Sequence, residues 1–276
     1  MKQILTTLFL ILVLSGCTKK STTTNSHLLK NCRIEYLFFQ DEIRISSNQP
    51  ITFPPDENPL LCGYLYNNNS LVKTSGGFVP VPAGTNLSNL VFSDQAYDSI
   101  VQKGNTVYSY TKMINLQGEV GQDTLNNIFF YFDSQNRLIK IVKKNGFYPE
   151  GYSINYLYSD NLITETTDYY SSKRFFYFNE GNLIKVRTEW YDNQGKLDQK
   201  KEILFQDFDE NPNPFKNMYY VRGAFFRAFS KNNYMSYSIC QYCLYNDSTF
   251  FLCDTSHYTM PVLYNNNSYP MFGDYE

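Results

Sequence analysis

YFNEGNLIKV, running from Tyr177 to Val186, decides the fold. It reads as an aromatic strand end, a short turn of Asn, Glu and Gly, and a Leu-Ile pair that opens a second strand. Asn and Gly tolerate positive φ, and Asn and Asp side chains bond their own backbone, which is what a tight hairpin turn requires. The same unit recurs along the chain as YLYNNNSLVK (Tyr64 to Lys73), YFDSQNRLIKI (Tyr131 to Ile141) and YLYSDNLITE (Tyr156 to Glu165). A degenerate copy, YDNQGKLDQK, begins at Tyr191, and LYNNNSYP lies near the end, from Leu263 to Pro270. Self-similarity at this scale predicts a series of hairpins.

Working outward, the flanking segments alternate. Tyr152, Ile154, Tyr156 and Tyr158 share one face, with Ser153 and Asn155 on the other. From Leu183 to Trp190, the alternation sets Ile184, Val186, Thr188 and Trp190 against Lys185, Arg187 and Glu189. Period two with polar partners predicts antiparallel strands with one wet face. IFFYF (Ile128 to Phe132) is apolar on both faces and is expected at the centre of the sheet. The expected fold is therefore mainly β, an antiparallel meander of hairpins in an extended or curled twisted sheet. One helix is predicted over 214–229. Asn213 and Pro214 suit an N-cap and first helical position, and Phe215, Met218, Arg222, Phe225 and Phe229 recur at helical spacing, an aromatic face expected to pack on the sheet. Residues 50–60 and 75–90 are rich in Pro and Gly and read as loops.

The start of the chain carries a different signal. Lys2 precedes an apolar run from Ile4 to Leu14, too short for a bilayer span of about 20 residues but suited to a secretion signal. It ends in Leu14-Ser15-Gly16-Cys17, which resembles the bacterial lipobox. Residues 1–16 are thus expected to be removed, and Cys17 to carry the lipid that attaches the protein to a membrane. Residues 17–30 read as a flexible polar tether and 31–276 as the β domain, with a soft sub-boundary near 120–127. Lys19 and Lys20 beside the anchor lean toward a periplasm-facing rather than a surface-facing attachment.

Composition narrows the partners. The chain has 24 basic and 26 acidic residues, with 25 Tyr, 22 Phe and a single Trp. Such a balance offers no electrostatic footprint for nucleic acid, and so many aromatic side chains argue against disorder. With Cys17 spent, Cys32, Cys62, Cys240, Cys243 and Cys253 remain, an odd set in an oxidising compartment, and their pairing is open. Cys240-Gln-Tyr-Cys243 has redox-motif spacing, yet it lies in a strand-like stretch where a structural role is expected. Cys253 and His257 are the only nearby groups that would complete a zinc site.

No sequence pattern specifies catalysis. His27 falls in the tether, leaving His257 as the one other histidine, and no hydrolase elbow, zinc-protease helix, P-loop or dinucleotide fingerprint occurs. Asp207, Asp209 and Asn211 open like a calcium loop, but Pro212 stands where glycine is needed and Met218 where the bidentate glutamate belongs. They remain a weak metal candidate beside the expectation of no metal and no cofactor. A glycosidase would need two opposed carboxylates, and no spacing singles out a pair. Trp190, Tyr156 and Tyr158 are candidate ligand-binding aromatics, although aromatics on alternating strands ordinarily belong to a core.

The lipobox, Cys32, the repeated units and FQDFDENPNPF (Phe205 to Phe215) together resemble a group of Bacteroidota lipoproteins of unknown function, and the hairpins are similar to the YD repeats of Rhs-type shells. The resemblance covers most of 32–276. It implies an antiparallel β fold and a lipid-anchored location at the outer membrane, and it brings no catalytic residue. The expectation is a non-catalytic binding or assembly component of the envelope with an unknown protein or glycan partner; the alternative is a carbohydrate-binding lipoprotein of a glycan uptake system.

Overall fold

The computed structural model describes residues 36–38, 61–67, 70–83, 86–114, 120–121, 127–145, 148–221, 224–245, 249–259, 262–264 and 270–272. The signal, Cys17, the tether, Cys32 and residues 50–60 lie outside them. The chain divides into Met1–Cys32 and Arg33–Glu276, and all described residues belong to the second unit.

The strands are β1 (Tyr36–Phe38), β2 (Leu61–Asn67), β3 (Ser70–Ala83), β4 (Asn86–Lys103), β5 (Thr106–Ile114) and β6 (Val120–Gly121). They continue as β7 (Asn127–Phe132), β8 (Leu138–Asn145), β9 (Tyr148–Ser159), β10 (Leu162–Thr167), β11 (Ser172–Asn179) and β12 (Asn182–Tyr191). The last are β13 (Leu197–Pro212), β14 (Asn232–Tyr245), β15 (Thr249–Thr259), β16 (Val262–Tyr264) and β17 (Pro270–Phe272). β1 to β15 form one 15-stranded sheet in chain order, with β6 paired to β5 off the main path; β16 and β17 pair separately. Every strand pairing among the described residues is antiparallel, and β5 pairs with β7 across the segment near 120–127. This is the antiparallel meander expected from the repeats. All six quoted units lie on hairpins: β2–β3, β7–β8, β9–β10, β11–β12, β12–β13 and β16–β17.

Two of these turns are built alike, because their sequences are. In DSQNRL and DNQGKL, the carboxylates of Asp133 and Asp192 accept from the backbone N–H two and four residues on, at 2.8–2.9 Å. Asn136 (φ 58) and Gly195 (φ 78) supply the left-handed position that such a turn needs. Arg137 N–H is the main reason the Asp133 carboxyl is held below its usual range.

Bulges set which residues are buried. In β11–β12 the register shifts so that Phe178 faces Leu183 while Tyr177 faces Lys185, leaving Ile184 as the extra residue. Leu183 and Val186 are both fully buried and Ile184 is 37% exposed. The uninterrupted alternation predicted from Ile184 to Trp190 is therefore corrected at its first residue, because one inserted residue shifts the parity of the strand. Leu138, exposed Ile139 and buried Ile141 repeat the pattern in β8.

Two further expectations are corrected. Residues 75–90 are mainly strand, not loop: β3 and β4 pair through Pro80 and Leu90, with register shifts at Ser75/Gly77 and Val81/Ala83 that accommodate the glycine and proline residues. The predicted helix over 214–229 is absent; its place is taken by successive turns and one 3-10 turn, Arg227–Phe229. The amides of Lys216, Met218, Val221 and Ala224 each bond the carbonyl three residues back. Asn217 adopts φ 67 and its N–H turns away to Ala228 O. The physical cause is burial. Phe215, Tyr219, Val221, Ala224, Phe226, Ala228 and Phe229 are all buried, whereas one helical stripe could cover only part of that set. As expected, the segment does pack on the sheet: Phe229 meets Phe176 at 4.8 Å and Tyr156 at 6.3 Å, and Phe226 meets Phe205 at 5.8 Å.

This plug defines an inner face of the sheet. Beneath it run Ile163, Phe176, Val186, Ile203 and Ile239, one from each successive strand β10 to β14. The plug is held shut by Asn213, whose Nδ2 donates to Arg227 O and Ser230 O at 2.6 and 3.0 Å and whose Oδ1 accepts from Phe215 N–H at 2.9 Å. The opposite face carries cations over aromatic rings: Lys73 over Tyr97, Lys185 over Tyr177, Arg187 over Phe175 and Lys200 over Tyr242, at 3.8–4.7 Å.

Candidate functional site

One row beyond that apolar line, the inner face turns polar. Tyr156 on β9 pairs with Glu165 on β10, Glu165 with Arg174 on β11, Arg174 with Thr188 on β12, and Thr188 with Lys201 on β13. Cross-strand pairing thus lays a residue from each of five adjacent strands in a line. Tyr156 is 6% exposed, Glu165 4% and Lys201 8%. Arg174 Nε meets Glu165 Oε1 at 2.9 Å. The Tyr156 hydroxyl and the Glu165 carboxylate are both buried and interact with one another.

On β8, Lys143 pairs with Tyr152, four residues before Tyr156 on β9. Its charge interacts with both Arg174 and Glu165; burial, then repulsion from Arg174, lowers its pKa. Lys201 is lowered by the same two causes in the same order. The phenol of Tyr156 is raised well above its ordinary value, first by burial and then by the Glu165 charge. Three cations and one carboxylate therefore share a largely desolvated strip, where each charge is felt more strongly than in water.

An aromatic cluster borders this strip. Tyr152 pairs directly with Lys143, and its ring meets Tyr169 at 5.3 Å and Tyr170 at 6.2 Å. Tyr169 and Tyr170 stand edge to face at 4.3 Å and are 41% and 55% exposed. They sit on the β10–β11 turn, which is pinned to β9 by Asp168: its carboxylate accepts from Ser153 N–H at 2.7 Å, and its own N–H donates to Ser153 O at 3.1 Å.

The residues singled out from sequence fall in different places. Tyr156 is in the polar row and buried, its ring against Phe176 and Phe229. Tyr158 is half-buried beneath the plug, donates to Leu138 O at 2.9 Å and lies under the Arg137 guanidinium. Trp190 is half-buried on the same face, between Ser172 and Gln199, one row beyond Thr188. Tyr169, Tyr170, Lys143 and Arg174 were not singled out, since only pairing across distant strands brings them together.

Asp207, Asp209 and Asn211 serve the end of β13. Asp209 accepts from the backbone of Asn211 and from the backbone and side chain of Asn233, at 3.1–3.2 Å. Asp207, at φ 54, accepts from Ser236 Oγ, and Asn211 O accepts from Asn232 Nδ2 at 2.9 Å. Their oxygens thus tie β13 to β14 on either side of the plug. Among the described residues no group of three or more His, Cys, Asp or Glu side chains is placed to hold a metal ion. Cys243 is bonded to Cys253 across β14–β15, and Cys240 is a buried free thiol. The redox pair Cys240–Cys243 and a zinc site using Cys253 are thereby replaced by a structural disulfide. His257 Nδ1 lies 3.0 Å from Ser238 Oγ, not beside a nucleophile–acid pair.

No family model and no curated protein matches the chain. Among solved structures, it is similar to a porin-like protein from Bacteroides vulgatus, at 11% identity and TM-score 0.45, over 76% of this chain and 85% of that one. A porin-like protein from Bacteroides uniformis matches at 12% identity and TM-score 0.31, over 72% and 89%.

Proposed function

We propose that the chain is a lipid-anchored protein of the bacterial outer membrane that works by binding rather than by catalysis. The observation that carries this is Leu14-Ser15-Gly16-Cys17 at the end of a short apolar run behind Lys2. A cysteine thiol there takes a diacylglyceryl group, and two or more acyl chains give stable attachment where one would be marginal. A binding role draws support from the inner-face row, which gathers side chains from five strands without a nucleophile–base pair. Replacing Cys17 with serine is expected to release the protein from the membrane fraction while leaving the β-sheet circular dichroism unchanged. Failure of radiolabelled palmitate to attach to the wild-type chain refutes the anchor, and robust hydrolysis of envelope glycans by the purified protein refutes the binding role.

A second reading, a carbohydrate-binding lipoprotein, is favoured by one observation: the exposed rings of Tyr169 and Tyr170 beside the charged row. Aromatic faces next to fixed polar groups suit sugar rings, which present C–H on one side and hydroxyls at the rim. A glycan array with the wild-type chain tests it, and no binding across a broad array refutes it.

A further inference from the structure

We infer that the outer face of the sheet, across β8 to β13, lies against an anionic phospholipid surface. The inference rests on the lipid-anchored reading, which keeps the domain beside a bilayer, and it names the face that meets the lipid. Charge comes first. Neighbouring cross-strand rows of this face carry Lys140, Lys173, Lys185, Arg187 and Lys200 against two carboxylates, Glu189 and Glu202. Arg187 Nε meets Glu189 at 3.0 Å, and the Lys185 and Lys200 ammonium groups lie 4.0 and 3.7 Å from Glu202. Both carboxylates are thus compensated within the face, and the surplus is positive. The chain as a whole has a formal net charge of −2, so this face runs against the overall sign.

The repeats add apolar side chains to the same face. In β2–β3, β7–β8 and β11–β12 the register shift falls on the same three residues, Leu-Val-Lys or Leu-Ile-Lys. The leucine is buried each time, and the next two residues stand opposite a single outer-face residue of the partner strand. An apolar side chain and a lysine are thereby set side by side three times, as Val72–Lys73, Ile139–Lys140 and Ile184–Lys185. Ile139 and Ile184 are exposed, and Leu157 on β9 between them is 73% exposed. Lys185 and Arg187 lie over the rings of Tyr177 and Phe175. Lysine and tyrosine beside exposed aliphatic groups suit the headgroup layer, where each keeps a polar tip in water and an apolar body in lipid. Charges in the middle of the strands fit that layer and not the hydrocarbon core. A soluble polyanion would match the cations but leave Ile139, Leu157 and Ile184 in water.

The test reconstitutes the full chain into vesicles whose acyl chains carry bromine, a quencher of tryptophan fluorescence. Leu157→Trp places a reporter on the outer face, and the wild type, with Trp190 on the inner face, is the reference. Quenching of the added tryptophan is expected in phosphatidylglycerol vesicles, at least about twofold more than in phosphatidylcholine vesicles, and is expected to fall away in roughly 0.5 M salt. Lys140→Glu and Lys173→Glu are each expected to lower the lipid-facing population about fivefold, the worth of one cation near an anionic surface. Ile139→Trp serves as the reporter if Leu157→Trp loses its native circular dichroism. Equal quenching of variant and wild type, equal quenching in the two lipids, or charge reversals without effect overturns the inference. So does tight binding of soluble dextran sulfate without quenching in vesicles, which points to a polymer partner. Flotation of the wild type in high salt reads the anchor separately. A chain that leaves the vesicles there lacks the lipid, whereas the low-salt quenching still reports the face.

Discussion

Replacing Asn213 with alanine removes the clasp that closes the plug over the inner face. The side chain is 2% exposed and makes three hydrogen bonds: Nδ2 to Arg227 O and Ser230 O, and Oδ1 from Phe215 N–H. At about 1 kcal/mol net for each buried bond, the loss is roughly 3 kcal/mol, which lowers the midpoint of thermal unfolding by about 6–12 °C in a protein of this size. Asn213→Asp separates this network from a simple packing effect. The carboxylate still accepts from Phe215 N–H, but its second oxygen replaces a donor that faces two carbonyls. At pH 7.5 the aspartate variant is therefore expected to be less stable than the alanine variant. Its buried carboxyl, facing carbonyl oxygens, has a folded pKa raised above the unfolded value near 3.9. The penalty is present at higher pH and relieved as pH falls through that raised value. Urea melts followed by Trp190 fluorescence, at pH 7.5 and again at pH 5, measure both quantities. An aspartate variant as stable as the wild type at pH 7.5, or more stable than the alanine variant there, refutes the network.

Three other perturbations test the sheet. Burial pushes the Tyr158 phenol up to about 12 and raises Tyr156 and Tyr219 beyond their ordinary range. Folding stability from these groups is therefore intact below pH 10 and lost as pH rises from 10 toward 12, so part of the tyrosinate absorbance should appear only with unfolding; smooth ionisation of all phenols near pH 10 in a native sheet would contradict this. Reducing Cys243–Cys253, which closes a loop of sequence separation 10, is expected to cost up to about 3 kcal/mol and to raise hydrogen exchange along β15, whereas unchanged exchange there removes the disulfide's structural role. Finally, Ile184→Lys should change stability by less than about 0.5 kcal/mol and Leu183→Lys by more than about 4 kcal/mol; equal effects on the unfolding midpoint would rule out the bulge.

The hairpins were legible because each turn is specified by residues a few positions apart. DSQNRL and DNQGKL carry the same Asp and the same left-handed position, Asn136 and Gly195, so the local chemistry writes the same turn twice. Parity past the turn was harder to read, because the bulge that places Leu183 and Val186 on one face depends on pairing with β11. In the sequence, Ile184 is an ordinary apolar residue at a plausible inward position. The plug departs from the expected helix for a related reason. Asn213-Pro214 and the aromatic spacing are real helix signals, but nearly every apolar side chain from Phe215 to Phe229 finds a site on the sheet. Turns that release all of them outweigh a helix that would present one stripe, since local propensities are worth only tenths of a kcal/mol per residue and each buried aromatic several times that.

The same contrast explains what the sequence hid of the candidate site. The Tyr156 ring is packed against Phe176 and Phe229, and its hydroxyl interacts with Glu165. Lys143, Glu165, Arg174 and Lys201 each look like a solvated strand residue when read alone. They come near one another because the meander keeps chain order, so residues nine to fourteen positions apart on successive strands pair across the sheet. Successive hairpins therefore do two jobs: they specify the fold locally, and they bring charges that are far apart in the chain onto one face of the sheet. A polar row built this way can be changed one strand at a time, because substituting the residue of one hairpin alters one position in the row and leaves the turns that define the sheet intact.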